Sequence, residues 1–360
     1  MVTKDEIIAA LATVAGPDGR TSLASSGALS DVLISGSRVT FSITGDPARS
    51  AELEAVRLAA ERAVKALKGV ETVLVMLTAE RSAQSAAPAA APGGRHGGTR
   101  TSAMRSRTPI VGVDRVIEVA SGKGGVGKST TAANLALALA GEGLRVGVLD
   151  ADIYGPSTPR LFGLTGKPEV TEGRIIQPLQ AHGLKIMSMG FLVSEQTAMV
   201  WRGPMVAGAV HQMLREVAWE PLDVLVVDMP PGTGDAQLTL AQSVALSGAV
   251  IVSTPQDLAL IDARRGVEMF RKVDAPILGI IENMSSFTCP NCGTRHDIFG
   301  HGGARKEAVR IGIPFLGEIP LELALRETSD AGCPIVASQP ASPITAAYRN
   351  IARQVKAAIA

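Results

Sequence analysis

Residues Gly122 to Ser129 read G-x-x-x-x-G-K-S, preceded by the β-prone run Val116–Ala120 and followed by the alanine- and leucine-rich run Ala132–Ala140. Few stretches of eight residues restrict a fold so strongly, because this spacing requires a strand, a tight loop and a helix in that order. The glycines let backbone N–H groups close around an anion with no side chains in the way. A helix starting near Ser129 adds its unpaired first-turn amides and the positive end of its dipole. Gly122, Lys123, Gly124, Gly125, Val126, Gly127, Lys128, Ser129 and Thr130 are therefore the expected nucleotide cradle. Lys128 would reach the β- and γ-phosphates and the Ser129 hydroxyl would ligate magnesium. Lys123 lies inside the loop, giving K-G-G-x-G-K, and within a single chain it has no phosphate in easy reach.

From Val113 onward strand-like and helical runs alternate. Apolar runs at 116–120, 146–149, 184–187, 224–227, 250–253, 277–281 and 315–316 are separated by helical runs at 130–140, 205–217, 236–245, 261–273, 303–311 and 344–358. Continuously apolar strands between helices predict an α/β fold, a mainly parallel sheet covered by helices on both faces, with the nucleotide at the carboxyl edge of the strands. Residues 1–81 read as a separate small α+β domain, with helices over 5–14 and 51–67 and strands within 32–44 and 70–77. Between them, 82–109 is alanine, proline, glycine and serine with Arg95, Arg100, Arg105 and Arg107, a composition that buries too little to fold and reads as a linker. The third segment, 110–360, reads as the P-loop nucleotide-binding domain.

A formal charge of +1 removes any global electrostatic case for nucleic acid. The apolar runs are interrupted before membrane-spanning length, and the N-terminus lacks a basic start and apolar core, so a cytoplasmic chain without a membrane partner is expected. Three cysteines make no disulfide framework.

Carboxylates at strand ends carry the next expectations. Asp150 and Asp152 follow the second strand of the alternating region. Asp152 is assigned the orientation of the attacking water and Asp150 a supporting role, with a cap or turn aspartate as the plainer reading of Asp150. Asp228 ends an apolar strand, as a residue holding magnesium through water must, and Pro230-Pro231-Gly232-Thr233-Gly234 after it suits a loop that senses the γ-phosphate. Cys289-Pro290-Asn291-Cys292-Gly293 makes a knuckle with two thiolates on one side, suited to zinc or an iron–sulfur cluster. One pair does not close a four-ligand site. Either a two-fold dimer supplies the second pair, or His296 and His301 complete a zinc site within one chain. Cys333 reads as a buried small residue, and His96, His182 and His211 as surface or packed positions.

The runs Ser121–Thr130, Asp150–Pro156, Trp201–Met205, Asp228–Asp235, Thr254–Asp257, Glu282–Ser285, Cys289–Gly293 and Ile298–Gly303 together resemble the Mrp-type iron–sulfur cluster carrier ATPases, a branch of the deviant P-loop group that includes MinD and ParA. The resemblance implies a homodimer that bridges a 4Fe–4S cluster through Cys289 and Cys292 of each subunit and hydrolyses ATP with magnesium. It also implies cluster donors and apo iron–sulfur proteins as partners. It further implies that Lys123 crosses to the nucleotide of the second subunit and that Asn283 contacts adenine, a turn asparagine being the alternative. Residues 1–81 resemble the small domain found in iron–sulfur assembly factors, but Gly16-Pro17 stands where Asp-Pro is usual, and Gly45-Asp46-Pro47-Ala48 lacks the usual cysteine. A MinD- or ParA-like positioning switch is the competing function, supported by the apolar face Ile344, Tyr348, Ile351, Val355 and Ile359. A zinc-knuckle-stabilised ATPase switch is another.

Overall fold

In a computed structural model of the chain, residues 2–17, 19–30, 32–35, 37–45, 50–70, 72–79, 109–171, 175–192 and 203–360 are described. The expected linker falls outside them except for Pro109, as do 46–48 and Trp201-Arg202. The chain divides into two compact units, 1–105 with 201–209 and 106–200 with 210–360.

In the first unit, α1 (Lys4–Leu11) opens with a capping box: Thr3 Oγ1 accepts the Glu6 N–H (3.3 Å) and Glu6 Oε2 accepts the Thr3 N–H (2.8 Å). It stops three residues before the apolar periodicity does, and Val14 is buried from the loop instead. β1 (Leu33–Ser35) and β2 (Arg38–Gly45) are antiparallel. The helix α2 (Ser50–Lys65) carries the chain over to β3 (Thr72–Ala79), parallel to β2. Ile7, Leu11, Phe41, Ile43, Ala60 and Val64 form its core.

Among the described residues the second unit has nine strands in one sheet. β4 (Val113–Ala120) lies between β8 (Leu222–Asp228) and β9 (Gly248–Ser253). Outward from β8 come β5 (Val146–Asp150), β7 (Leu184–Ser188) and β6 (Leu179–Ala181); outward from β9 come β10 (Ile277–Thr288) and β12 (Phe315–Leu321). All these pairs are parallel except β6 with β7, and the β10 tip also folds against the two-residue strand β11 (Arg295–His296) in an antiparallel hairpin. The antiparallel pieces, with their short strands, are what periodicity did not predict.

The helix α3 (Lys128–Gly141) has an unbroken buried run from Thr131 to Leu139. Helix α11 (Pro343–Ile359) explains why. Its buried residues Ile344, Tyr348, Ile351, Ala352, Val355 and Ile359 belong to a helix that packs on α3 and β12, so α3 is covered on the sheet side and on the outside. The apolar face Ile344, Tyr348, Ile351, Val355 and Ile359 is therefore internal packing. No helix among the described residues is long and apolar enough to cross a membrane.

One core position works against stability. Glu118 on β4 is wholly buried, and neither carboxylate oxygen has a hydrogen-bond partner among the described residues. Burial pushes its carboxyl up to about 8 from 4.5. Its contribution to stability is therefore greatest below pH 4.5 and is lost as pH rises toward 8, since folding must keep a proton that the unfolded chain releases. That is a burden of several kcal/mol at alkaline pH. Glu118→Val, similar in volume and β-prone, should raise the urea midpoint, with a larger gain at pH 9 than at pH 5. An equal gain at both pH values would refute the ionisation argument.

Candidate functional site

The carboxyl ends of β4, β5 and β8 meet at one edge, and adjacent strands place Asp150 directly opposite Asp228. Two buried carboxylates side by side call for a cation, and Lys128 supplies it. Its Nζ donates to Asp228 Oδ1 at 2.5 Å and to Ser129 Oγ at 3.1 Å, with Lys128 6% and Asp228 1% exposed. Asp228 Oδ2, also buried, has no protein partner among the described residues.

Asp150 is fully buried and organises the loop after β5. Its Oδ1 accepts the Asp152 N–H (3.0 Å), and its Oδ2 accepts the Thr158 N–H (3.1 Å) and the Ser188 hydroxyl (3.1 Å). Burial and the facing Asp228 push its carboxyl up to about 7. Asp152, half-buried, is raised mainly by burial, against the pull of Lys128. Asp150 thus ties together both ends of the loop that carries Asp152, with the bonds of a turn or cap aspartate. Ser188 was missed from sequence: it ends an apolar strand at the same edge, but the strand-end reading looked only for carboxylates.

The loop before α3 admits only glycine at two points. A Cβ on Gly122 would lie 2.1 Å from the backbone carbon of Asp262 on α7 (Asp257–Lys272). Gly127 has φ +77°, and a Cβ there would meet Asn283 Nδ2 at 2.2 Å. Asn283 is not a turn residue. It sits buried on β10, its Nδ2 donates to the Val126 carbonyl (2.8 Å), and its Oδ1 has no partner among the described residues. Beside it lies a cavity of about 360 Å³ lined by Gly127, Thr130, Leu161, Asn283, Leu321 and Leu325. Lys123 reaches outward, donating to Gln256 Oε1 at 3.4 Å. The Pro230–Gly234 loop is tied to the cradle by the Gly232 N–H, which donates to the Ser121 carbonyl (2.9 Å), and is braced by buried Gln237, whose Nε2 donates to the Pro231 carbonyl (2.6 Å).

The cysteine pair forms the hairpin turn between β10 and β11. The Cys289 N–H donates to the Thr294 carbonyl (2.9 Å), and the Gly293 N–H to that of Cys289 (2.8 Å). Cys289 is half-buried and Cys292 exposed. Cys292 Sγ lies 3.2 Å from the Thr294 hydroxyl, which can donate to the thiolate; this contact, then the Thr294 backbone and the Cys289 thiol, lower the Cys292 thiol below its ordinary value. Among the described residues neither His296 nor His301 joins the cysteines in a three-ligand group; His301 instead lies 3.0 Å from Glu318. Cys333 is half-buried rather than buried. His182 tilts against Phe162, and burial lowers the half-buried His211.

Removing the ammonium leaves two carboxylates facing each other in the core. Lys128→Met should destabilise the chain by about 3 kcal/mol, and adding Asp228→Asn should recover most of that loss. Urea unfolding of the four variants of the cycle measures it; additive losses would show that the pair is not coupled.

Comparison with known proteins adds to the geometry. Residues 112–356 match the family model described as ParA, the NUBPL iron-transfer P-loop NTPases, and residues 4–75 match that of an iron–sulfur cluster assembly protein. The chain is 44% identical over 360 residues to an iron–sulfur cluster carrier protein of Synechocystis, covering 99% of this chain and 97% of that one. It is 56% identical over 254 residues to the mouse iron–sulfur cluster transfer protein NUBPL, covering 70% and 80%. Among solved structures it resembles a nucleotide-binding protein of Archaeoglobus fulgidus in complex with ADP, at TM-score 0.55 and 44% identity, covering 61% of this chain and 87% of that one. The cell-division ATPase MinD of Pyrococcus furiosus gives TM-score 0.52 at 25% identity, covering 68% and 99%.

Proposed function

The chain belongs to the ParA-type family of NUBPL iron-transfer P-loop NTPases, and from that premise we propose that it is an ATP-dependent carrier that holds a 4Fe–4S cluster between two copies of itself and passes it to apoproteins. The observation that supports this best is the course of β10. One strand carries Asn283, bonded to the nucleotide loop, and five residues beyond Asn283 leaves the sheet as the cysteine hairpin.

In this reading ATP binds with its phosphates in the loop before α3 and its base in the cavity beside Asn283, where the unpartnered Oδ1 can accept from an exocyclic amine. The Lys128 ammonium occupies the space between Ser129 and Asp228 where a divalent cation would fit, and the unpartnered Asp228 Oδ2 suits a magnesium-bound water. On nucleotide binding Lys128 exchanges Asp228 for the β- and γ-phosphate oxygens, freeing Ser129 and Asp228 for the metal. Magnesium, when bound, neutralises charge developing on those oxygens. Asp152, positioned by Asp150, orients the attacking water. Lys123, held outward, is free to reach the nucleotide of a second subunit. Two thiolates per chain leave a cluster half-ligated, so Cys289 and Cys292 of both copies close it. The partners are cluster donors and apo iron–sulfur proteins.

Anaerobic reconstitution with iron and sulfide, read beside size-resolved mass, tests this. Four irons and four sulfides per two chains are expected, with no cluster in Cys289→Ala or Cys292→Ala and a normal content in Cys333→Ala. Lys128→Ala should abolish ATP turnover, whereas Lys123→Ala should reduce turnover by more than it reduces nucleotide affinity. A monomer with a full cluster, or cluster transfer by the Cys289→Ala/Cys292→Ala variant, would overturn the shared-site reading. Stoichiometric zinc without sulfide that is lost in the Cys289→Ala/Cys292→Ala variant would establish a structural knuckle in its place.

A further inference from the structure

We propose that Glu282, His301 and Glu318 form a binding site for a divalent transition-metal ion, distinct from the nucleotide loop and from the cysteine hairpin. Among the described residues, one ligand atom from each of these three side chains lies within 4.8 Å of the other two. The arrangement follows from the fold. β10 and β12 are parallel, and their register sets Glu282 directly beside Glu318. Like charges opposite each other on one sheet face repel, so the pairing calls for a positive partner.

Glu282 is wholly buried, and its orientation is fixed. Its Oε1 accepts the Gly302 N–H (2.8 Å) and its Oε2 the Ala304 N–H (2.7 Å), at the start of α8 (Gly303–Ile311). Each oxygen retains a second lone pair, and ligating carboxylates are commonly held by such outer hydrogen bonds. His301 directly precedes this helix start, and its Nε2 sits 3.0 Å from Glu318 Oε2. That spacing matches the edge between adjacent ligands of an octahedron with bonds of about 2.1 Å. The same distance is an ion pair when the imidazole is protonated, but a single imidazolium balances only one of the two carboxylates. Arg305 on α8 is engaged elsewhere, over the ring of Phe315 at 4.2 Å.

One imidazole and two carboxylates suit zinc, ferrous iron, cobalt or manganese rather than calcium, which takes an all-oxygen shell. Three protein ligands leave positions open for water or an exogenous ligand. The site involves neither Cys289 nor Cys292, so it stands or falls separately from the cluster reading.

The test uses the full chain carrying Cys289→Ser and Cys292→Ser, which removes the hairpin thiolates. Calorimetric titration with Zn2+ should give one ion per chain, and Co2+ should give a d–d spectrum without sulfur-to-metal charge transfer. His301 and Glu318 are 38% and 37% exposed, so His301→Ala and Glu318→Gln should fold normally by circular dichroism. Each should weaken Zn2+ binding at least about tenfold in that background. No uptake by the doubly substituted chain at micromolar Zn2+, or an affinity unchanged by His301→Ala and Glu318→Gln, would overturn the site. Failure of the unsubstituted chain to take up a cluster, with Zn2+ uptake retained, would affect only the function proposed above.

Discussion

A buried ammonium between strand ends organises the second unit. Parallel strands bring their carboxyl termini to one edge, and there two aspartates on neighbouring strands, Asp150 and Asp228, are withdrawn from water. Isolated buried carboxylates cost several kcal/mol each, so the edge is stable only if charge and hydrogen bonds are supplied locally. Lys128 supplies the charge for Asp228, and backbone N–H groups with Ser188 satisfy Asp150, whose raised proton affinity eases the rest of the repulsion. The loop that delivers Lys128 must therefore take one shape. Gly122 and Gly127 hold it there, because any side chain would strike α7 or Asn283.

The same edge links the nucleotide loop to the cysteine hairpin through a single strand. On β10, Glu282 grips the backbone that starts α8, Asn283 grips the Val126 carbonyl, and the strand then runs on into the turn containing Cys289 and Cys292. Adjacent residues thus hold the loop before α3 and the start of α8. A shift of Val126 when phosphate enters the loop would be felt first at Asn283, and a shift of 302–304 at Glu282. One strand makes both contacts.

The resemblance stated from motifs was sound because those motifs are local. A glycine-rich loop between a strand and a helix, a carboxylate closing an apolar strand and two cysteines at knuckle spacing each express their chemistry within a few residues. Readings erred or stayed open where the deciding contact is distant in sequence. Apolar spacing ran α1 on to Val14, where the chain turns away after Leu11 yet still buries that side chain. His301 is only nine residues from Cys292, but the hairpin and the helix start direct it to Glu318 on another strand. Asn283 could be read as a turn until β10 was seen to carry it across to the loop before α3, 157 positions away.

By itself the sequence determined the class of fold and which elements carry the glycine-rich loop, the strand-end carboxylates and the cysteine pair, because backbone propensity, glycine sterics and short spacings act over a few residues. Only the tertiary structure decided which charges meet. Lys128 against Asp228, Glu282 beside Glu318 and an unpartnered Glu118 depend on strand order and register, which bring together positions far apart in the chain. Electrostatics in a dry interior follows distance in space, and a linear pattern of residue types does not contain that distance.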